Sequence, residues 1–399
     1  MDLSNGINLV SIPGPTVLPD RVRAALAEPM PDIYAGELIE MSNRVVDRLP
    51  ALARTDSKAL IMLGNGHAAW QMSVSNLLLP GDKILVLESG RFAVGWGGYF
   101  AASGAEIEMV PGDERSAVDP TAVEEYLRRP ESQDIKAILV VQTDTASSVR
   151  NDLPAVRTAI DAAGHDALLL VDCIASIGCE PYEMDDWGID LTIGASQKGL
   201  MCPPGVALVW VGPRAIEAYE RVKATDRRVA YFDWEKRLNP SVFYETYAGT
   251  PPVAHIRALN AALDLIDEEG GLEAVWNRHR VMGEAVRAAV DVWSTPGGLE
   301  FNITNPEHRS NAVTTVRTGS INSRRLQKIC KRQAGVVIGI GLSMDSDNSF
   351  RIGHMGHIHP ASILGTLGTI EAALRAMDAP IGGSGVAAAA AVIGEGLAE

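Results

Sequence analysis

The sequence predicts an α/β fold, in which a large domain built on a mostly parallel sheet is followed by a smaller α+β domain. Short apolar runs alternate with helix-length segments from about residue 60 to residue 255, and this alternation is typical of a parallel sheet covered by helices. The alternation stops at the pair Pro251-Pro252. A chain of 399 residues is also longer than one hydrophobic core usually supports, so we expect two domains.

The strands of the large domain are predicted from runs of consecutive apolar residues, which are typical of strands buried on both faces. The turn Pro80-Gly81-Asp82 precedes the first of them. A helix is predicted between the second and the third, where residues 153–163 carry apolar side chains at helical spacing and are followed by Gly164. The predicted strands are 83–87, 137–141, 167–171, 191–194 and 206–211.

The smaller domain is predicted from a different pattern, in which long helices come before strands. We expect helices at 255–268 and 272–292, strands at 311–316 and 335–340, and a final helix at 361–377. The chain is thereby divided into an N-terminal segment 1–20, a large domain 21–253, a small domain 254–380 and a low-complexity tail 381–399. The tail begins with glycines and continues with an alanine run, which predicts either a loosely packed helix or a disordered end.

The charge and the apolar runs exclude several classes of function. The net charge of −15 argues against nucleic acid or an anionic membrane as a partner, because binding phosphates requires a basic face. No apolar run reaches the roughly 18 residues of a membrane span, and the first residues lack the pattern of a signal peptide. The four cysteines have no metal-binding spacing, so we expect free thiols, no metal site and a cytoplasmic protein.

Two residues of the large domain have the chemistry of a carbonyl-binding site. Lys198 lies in a loop between two apolar strands, and a lysine in a partly apolar pocket can lose its proton and attack carbonyl carbons. Asp172 follows the apolar run 168–171, and ligands of α/β sheets bind at the carboxyl ends of strands. A buried carboxylate needs a cation, and a protonated pyridine nitrogen is one. The alternatives are a solvated loop lysine and a turn-capping aspartate.

Two further stretches predict anion binding. Asn65, Gly66 and His67 precede a helical segment, where backbone N–H groups can approach an anion. Arg351 lies in the apolar, glycine-rich stretch Phe350-Arg351-Ile352-Gly353, and a guanidinium binds a carboxylate through two parallel hydrogen bonds. The alternatives are an ordinary loop with a structural histidine and a structural ion pair of the arginine.

Together these residues resemble the class V aminotransferases of pyridoxal-phosphate fold type I, and within them the alanine–glyoxylate and serine–glyoxylate aminotransferases. Pyridoxamine–pyruvate aminotransferase is a near relative. The resemblance extends from Ile12-Pro13-Gly14-Pro15-Thr16 to the RIGHMG stretch that begins at Arg351. It implies a seven-stranded, mostly parallel sheet in the large domain, pyridoxal 5'-phosphate as the cofactor, and an N-terminal segment that reaches the active site.

The resemblance also implies roles for individual residues. Lys198 would carry the cofactor as a Schiff base and move the substrate proton, and Asp172 would pair with the pyridine nitrogen. Gln142 and Ser148 depart from the family pattern around Thr145, where relatives usually have histidine and glycine. The other implied cofactor contacts are Asn65, Gly66, His67 and Gln197 at the phosphate, Phe92 over the ring and Thr145 at the ring oxygen.

Assembly and substrate contacts follow from the same resemblance. Tyr247 and Thr250 match residues that the family lends to the phosphate of the neighbouring subunit, which implies a homodimer with shared active sites, or a tetramer. Arg351 would bind the substrate α-carboxylate together with the backbone near Gly14 and Pro15. Tyr34 lies in a stretch expected to line the substrate side-chain pocket.

The expected reaction is transamination between a small amino acid (alanine, serine or aspartate) and a small 2-oxo acid (glyoxylate or pyruvate). One alternative is a pyridoxamine–pyruvate aminotransferase, favoured by Tyr34 and RIGHMG but disfavoured by the phosphate-site candidates Asn65 and His67. Another is a class V lyase or desulfurase, although desulfurases commonly have histidine at the position of Gln197. The last is a non-catalytic binder of pyridoxal phosphate, which the presence of Lys198 disfavours.

Overall fold

The computed structural model describes residues 2–225, 227–342 and 345–398. Two main sheets organise them, and a two-stranded ribbon is inserted in sequence between two neighbouring strands of the larger sheet. The strands are β1 (Leu9–Ser11), β2 (Lys58–Gly64), β3 (Lys83–Leu87), β4 (Glu106–Val110), β5 (Ile135–Val141), β6 (Thr143–Asp144), β7 (Val149–Arg150), β8 (Leu168–Asp172), β9 (Leu191–Ala195), β10 (Gly205–Val211), β11 (Glu300–Phe301), β12 (Val313–Arg317), β13 (Val336–Ile340) and β14 (Ser349–Gly353).

Helices pack on both sides of the first sheet and beside the second. They are α1 (Asp20–Leu26), α2 (Glu37–Leu52), α3 (Gly66–Leu77), α4 (Arg91–Ala102), α5 (Pro120–Leu127), α6 (Leu153–Ala162), α7 (Pro213–Lys223), α8 (Glu235–Leu238), α9 (Val253–Glu269), α10 (Leu272–Trp293), α11 (Ser323–Gln333), α12 (Pro360–Ala376) and α13 (Gly385–Gly396). No helix of these ranges is long and apolar enough to cross a membrane.

The large sheet has seven strands in the order β2-β10-β9-β8-β5-β3-β4. Strand β10 runs antiparallel to both of its neighbours, and the other adjacent pairs are parallel. Apolar cores cover both faces of the sheet, so all five residues of β8 are buried. The predicted mostly parallel, seven-stranded sheet is therefore confirmed, and its continuous apolar runs have the expected cause.

The second sheet has the order β1-β13-β14-β12-β11. Its strands are antiparallel except for β1, which pairs parallel to β13. The start of the chain therefore joins the sheet of the C-terminal residues, and residues 12–16 leave that sheet toward the large domain. This path brings the N-terminal segment next to the carboxyl edge of the large sheet.

The alanine-rich tail forms a packed helix, α13. The Ser384 side chain accepts a hydrogen bond from the Ala387 N–H and caps its first turn. Ala389 and Ile393 are buried in the core formed with α10 and α12. Of the two alternatives for this segment, the disordered end is wrong, because its apolar face covers α10.

The carboxyl ends of five parallel strands position the site. Loops that follow β2, β3, β5, β8 and β9 meet at one edge of the large sheet, since parallel strands end on the same side. The second sheet and the N-terminal segment lie over this edge, where the Arg351 guanidinium contacts the loop after β5.

Candidate active site

A cavity of about 180 Å³ lies at this edge. Each of the five loops contributes to its wall, and eight of the residues predicted from the sequence line it. The lining residues are Asn65, Gly66, His67, Trp70, Phe92, Val141, Thr143, Thr145, Asp172, Ile174, Ala175, Gln197 and Lys198.

Lys198 lies in the turn after β9, under the N-terminal segment. Its Nζ donates a hydrogen bond to the Pro13 carbonyl, and the Thr16 hydroxyl donates to the Lys198 carbonyl over 3.0 Å. Burial, together with the nearby positive charge of Arg351, lowers the pKa of Lys198 to about 8. A larger fraction of this amine is neutral near pH 8 than for an exposed lysine, which suits a nucleophile.

Asp172 ends β8 with its carboxyl group inside the protein. Burial raises the pKa of Asp172 to about 7, although two donors oppose this change. The donors are the Ile174 N–H, 2.7 Å from Oδ1, and the Trp70 indole N–H, 2.8 Å from Oδ2. No cationic nitrogen of the described residues lies within 4.0 Å of this carboxyl group in an ion pair, so its ionised form calls for a cation from elsewhere.

Asp144 connects the loops that carry Phe92 and Thr145. Its carboxylate is fully buried and accepts from the Phe92 N–H and the Ala146 N–H, each over 2.8 Å. A Cβ on Gly90 would lie 2.4 Å from the Asp144 carboxyl carbon, so only glycine leaves room for this contact. Asp144 thereby joins the backbone of the turn that carries Phe92 to the loop that carries Thr145.

Arg351 is a fixed cation beside the cavity. Its Nε donates to the Ile340 carbonyl over 2.6 Å and its Nη1 to the Thr145 carbonyl over 2.8 Å. The side chain is 7% exposed, and burial lowers the pKa of Arg351 to about 10. None of the carboxylates described here forms an ion pair with it within 4.0 Å. A buried guanidinium held only by carbonyls is costly without an anion, so the site suits a carboxylate ligand.

Unpartnered polar atoms test whether the cavity fits pyridoxal phosphate. Gln197 Oε1 and Thr143 Oγ1 are buried and have no hydrogen-bond partner among the described residues, and both side chains line the cavity. Asp172 offers a carboxylate without a cation in the same wall. A ring with a basic nitrogen and several polar substituents satisfies these groups together, so the residues fit the cofactor.

Besides Arg351, five residues predicted to contact cofactor or substrate are not among the lining residues of the cavity. The Tyr247 ring is buried in its own subunit, and its hydroxyl shares a 2.5 Å hydrogen bond with the Ser42 hydroxyl. The predicted contact with a neighbouring phosphate would require this hydroxyl to leave Ser42. Thr250 and Tyr34 are exposed, so a second subunit can reach them. Gly14 and Pro15 lie beside Lys198, where a Cβ on Gly14 would be 2.5 Å from the Lys198 Cδ.

Several lining residues were not assigned a role from the sequence. Trp70 and Thr143 are the main ones, and Asp144 acts from behind the wall. Trp70 follows His67 at a helical spacing of three, and the two rings are in contact at 4.5 Å between centroids. That spacing was the available indication that Trp70 faces the same way as the predicted phosphate turn.

Comparisons with known proteins agree with this geometry. The aminotransferase class V family model matches residues 39–352. A serine–glyoxylate aminotransferase of Methylorubrum extorquens is 35% identical, and the match covers 98% of this chain and 97% of the relative. An L-aspartate–glyoxylate aminotransferase of Paracoccus denitrificans is 34% identical, with coverages of 96% and 95%. The crystal structure of pyridoxamine–pyruvate aminotransferase from Mesorhizobium loti has a TM-score of 0.88 at 27% identity, with coverages of 99% and 100%.

These matches run through both sheets and through every loop that lines the cavity. They cover the lysine, the aspartate and the N-terminal segment that lies over them. The fold, the residues of the cavity and the matches therefore lead to one conclusion: the chain belongs to the class V aminotransferases and is a pyridoxal-phosphate-dependent enzyme of fold type I.

Proposed function

We propose that this enzyme transfers the amino group of serine, aspartate or alanine to glyoxylate, with pyruvate as a second acceptor. The observation that carries the proposal is the placement of an unpaired buried cation, Arg351, beside a cavity that also holds Lys198 and Asp172. A carboxylate held by the guanidinium would bring its α-carbon toward the lysine amine. The glyoxylate specificity named for two relatives supports the choice of acceptor.

Pyridoxal phosphate, when bound, supplies an electron sink for the negative charge that develops on the substrate α-carbon. In the proposal, the Lys198 amine would hold the cofactor through its aldehyde carbon and would become free to act as a base once a substrate amine is bound. Asp172 would pair with the ring nitrogen, and Phe92 would lie against the ring. The turn at Asn65, Gly66 and His67 would hold the phosphate together with Gln197, and Thr145 would contact the ring oxygen.

Lys198 then acts as the group that moves the proton. As a free amine with its pKa lowered to about 8, Lys198 would take the proton from the substrate α-carbon and deliver it to the former aldehyde carbon of the cofactor. The Pro13 carbonyl accepts a hydrogen bond from this amine and keeps it inside the cavity between the two transfers. The N-terminal segment covers the lysine through Pro13 and Thr16 and would slow the exchange of its proton with bulk water.

Transamination of pyridoxamine is the second candidate. Two observations favour it: the likeness to the Mesorhizobium loti enzyme, and the Tyr247 hydroxyl, which is bonded inside its own subunit and not free for a phosphate. Against it, Asp172 is the only acidic residue among the described residues that line the cavity. No carboxylate at the phosphate turn repels a phosphate, which supports the amino-acid reaction.

The proposal includes a homodimer. Thr250 and Tyr34 are exposed in the single subunit, Tyr34 to 80%, and exposed apolar side chains such as Met30, Val242 and Tyr244 are suited to a subunit contact. The four cysteines are free and buried, which suits the reducing cytoplasm we propose as its compartment. Light scattering of the purified enzyme checks the assembly: a mass of one chain would contradict it.

The experiment is a matrix of donors and acceptors. Serine, aspartate, alanine and pyridoxamine are each combined with glyoxylate and with pyruvate, and the oxo acid or aldehyde produced is measured. We expect kcat/KM for at least one amino acid with glyoxylate to exceed that of pyridoxamine with pyruvate by about a hundredfold or more. The reverse order would replace the proposal by the second candidate.

A further inference from the structure

We propose that Trp70 is a positioning residue that keeps Asp172 ionised and directed at the ring nitrogen of the cofactor. This inference rests on the proposed function, in which Asp172 pairs with that nitrogen. It assigns a role to an aromatic side chain that would otherwise be read as part of the hydrophobic wall.

The first argument is the direct hydrogen bond. The Trp70 indole N–H donates to Asp172 Oδ2 over 2.8 Å, and the Ile174 N–H donates to Oδ1 over 2.7 Å. Both carboxyl oxygens thus receive a donor, which fixes the rotation of the carboxyl group. Donors of this kind bind the ionised form more strongly than the protonated one.

The second argument is the rigidity of the indole. Trp70 is 2% exposed; it belongs to α3 and packs against aromatic side chains of α4. His67 contacts its ring from the preceding turn at 4.5 Å between centroids, Tyr99 approaches at 5.4 Å, and Trp96 stacks on it at 6.5 Å with an interplanar angle of 18°. A ring packed in this way cannot rotate its N–H away from the carboxylate without disturbing its neighbours.

The third argument is the charge balance around Asp172. Burial opposes its ionisation most strongly, and the negative charge of Asp144 opposes it further. The positive charge of Lys198 favours ionisation, together with the two donors. Once the Lys198 amine is neutral or bonded to the cofactor, its positive charge no longer favours ionisation of Asp172 to the same extent. The hydrogen bond from Trp70 then contributes a larger share of what keeps this carboxyl group ionised.

Loss of the indole N–H would move one proton from the ring nitrogen of the cofactor to the Asp172 carboxyl group. With the donor present, the proton stays on the ring nitrogen and Asp172 is an anion. Without it, Asp172 becomes more basic by about one to two pKa units, the worth of a hydrogen bond to a charged group. The proton then moves from the ring nitrogen to the carboxyl oxygen, and the ring becomes a weaker electron sink.

The test compares two tryptophans of the same aromatic cluster. Trp70→Phe removes the donor to Asp172, whereas Trp96→Phe removes an equally buried indole whose N–H lies 3.4 Å from the Ser73 hydroxyl. Each variant is loaded with pyridoxal phosphate labelled with ¹⁵N in the ring, and the nitrogen resonance is recorded across pH. We expect a protonated ring nitrogen in the wild type and in Trp96→Phe, and a neutral one in Trp70→Phe at neutral pH.

Kinetics separate this role from a purely structural one. Trp70→Phe should lower kcat about tenfold or more while KM for glyoxylate changes less than twofold, because Arg351 is unaffected. Replacement of Trp70 by 3-benzothienylalanine, which keeps the bicyclic ring but has no N–H, repeats the test if phenylalanine impairs folding. A ring nitrogen that stays protonated in both Trp70 variants would overturn the inference. Failure of the proposed function gives a different result, because Asp172 would then not pair with the ring nitrogen. In that case the ring nitrogen would be unprotonated in the wild type, or its protonation state would be the same in Asp172→Asn as in the wild type.

Discussion

Gly14→Ala is the substitution that the structure makes most specific. Gly14 has a φ of +81°, and a Cβ at this position would lie 2.5 Å from Lys198 Cδ and 2.9 Å from Cε and Nζ. Carbon atoms in contact are normally about 3.5–4.0 Å apart. Lys198 would therefore have to move by about 1 Å, and a displacement of that size at a reacting group costs about a hundredfold in rate.

Gly36 provides a matched control. Its φ of +80° is within about 1° of that of Gly14, yet a Cβ there would meet no heavy atom within 4 Å. Because φ is positive at both positions, alanine at either one is strained, by about 1–3 kcal/mol. Only the alanine at position 14 also pushes against the lysine, so the difference between the two variants isolates the contact with Lys198.

The assay follows the bond between Lys198 and the cofactor. Borohydride reduction of the enzyme loaded with pyridoxal phosphate, followed by peptide mapping, measures how much Lys198 is labelled, and steady-state kinetics give kcat. We expect Gly36→Ala to retain labelling and at least half of kcat, and Gly14→Ala to lose about a hundredfold in kcat with slower labelling. Equal kcat and labelling in the two variants would refute the reasoning.

The other predictions concern charge. Lys198→Ala should abolish turnover and the visible absorption band of the bound cofactor; catalysis near the wild-type rate would contradict its role. Arg351→Ala should raise KM for carboxylate substrates, with a loss of binding free energy of about 2–4 kcal/mol. An unchanged KM would mean that another group binds the substrate carboxylate. The same variant should raise the pKa of Lys198, because Arg351 lowers it, so the midpoint of apoenzyme recombination with pyridoxal phosphate should move to higher pH. Burial lowers the pKa of His279 and of His354 to about 3, below the unfolded value near 6.5. The contribution of these two neutral histidines to the free energy of unfolding is therefore fully present above pH 6.5 and is lost between pH 6.5 and 3, by up to about 2.7 kcal/mol per pH unit. Urea unfolding at pH 7 and at pH 5 measures this loss.

Much of the fold could be predicted from local patterns. The run 168–171 is buried on both faces, so every position is apolar and the strand is visible in the sequence. Strand β4 (Glu106–Val110) was not predicted, because it lies at the edge of the sheet and carries two glutamates among its five residues. Strand β1 was missed because three residues give no periodicity, and its partner β13 lies more than 300 residues later.

The candidate site was predictable where a residue's chemistry is unusual for its surroundings. Lys198 beside an apolar strand and Arg351 in an apolar stretch are examples: Lys198 lines the cavity, and Arg351 binds the carbonyl of another lining residue, Thr145. The role of Trp70 was not predictable, because its partner Asp172 is 102 residues away. The inward direction of Tyr247 also depends on a distant partner, Ser42, and such pairings follow from the fold and not from local sequence.

The measurement that tests the central claim most directly is the visible absorption spectrum of the purified enzyme, taken before and after each substrate. The account predicts a band from the cofactor bonded to Lys198, which serine, aspartate or alanine converts to the pyridoxamine form and glyoxylate restores. A protein that stays colourless with pyridoxal phosphate, or that shows the band only with free pyridoxal or with pyridoxamine and pyruvate, would contradict it.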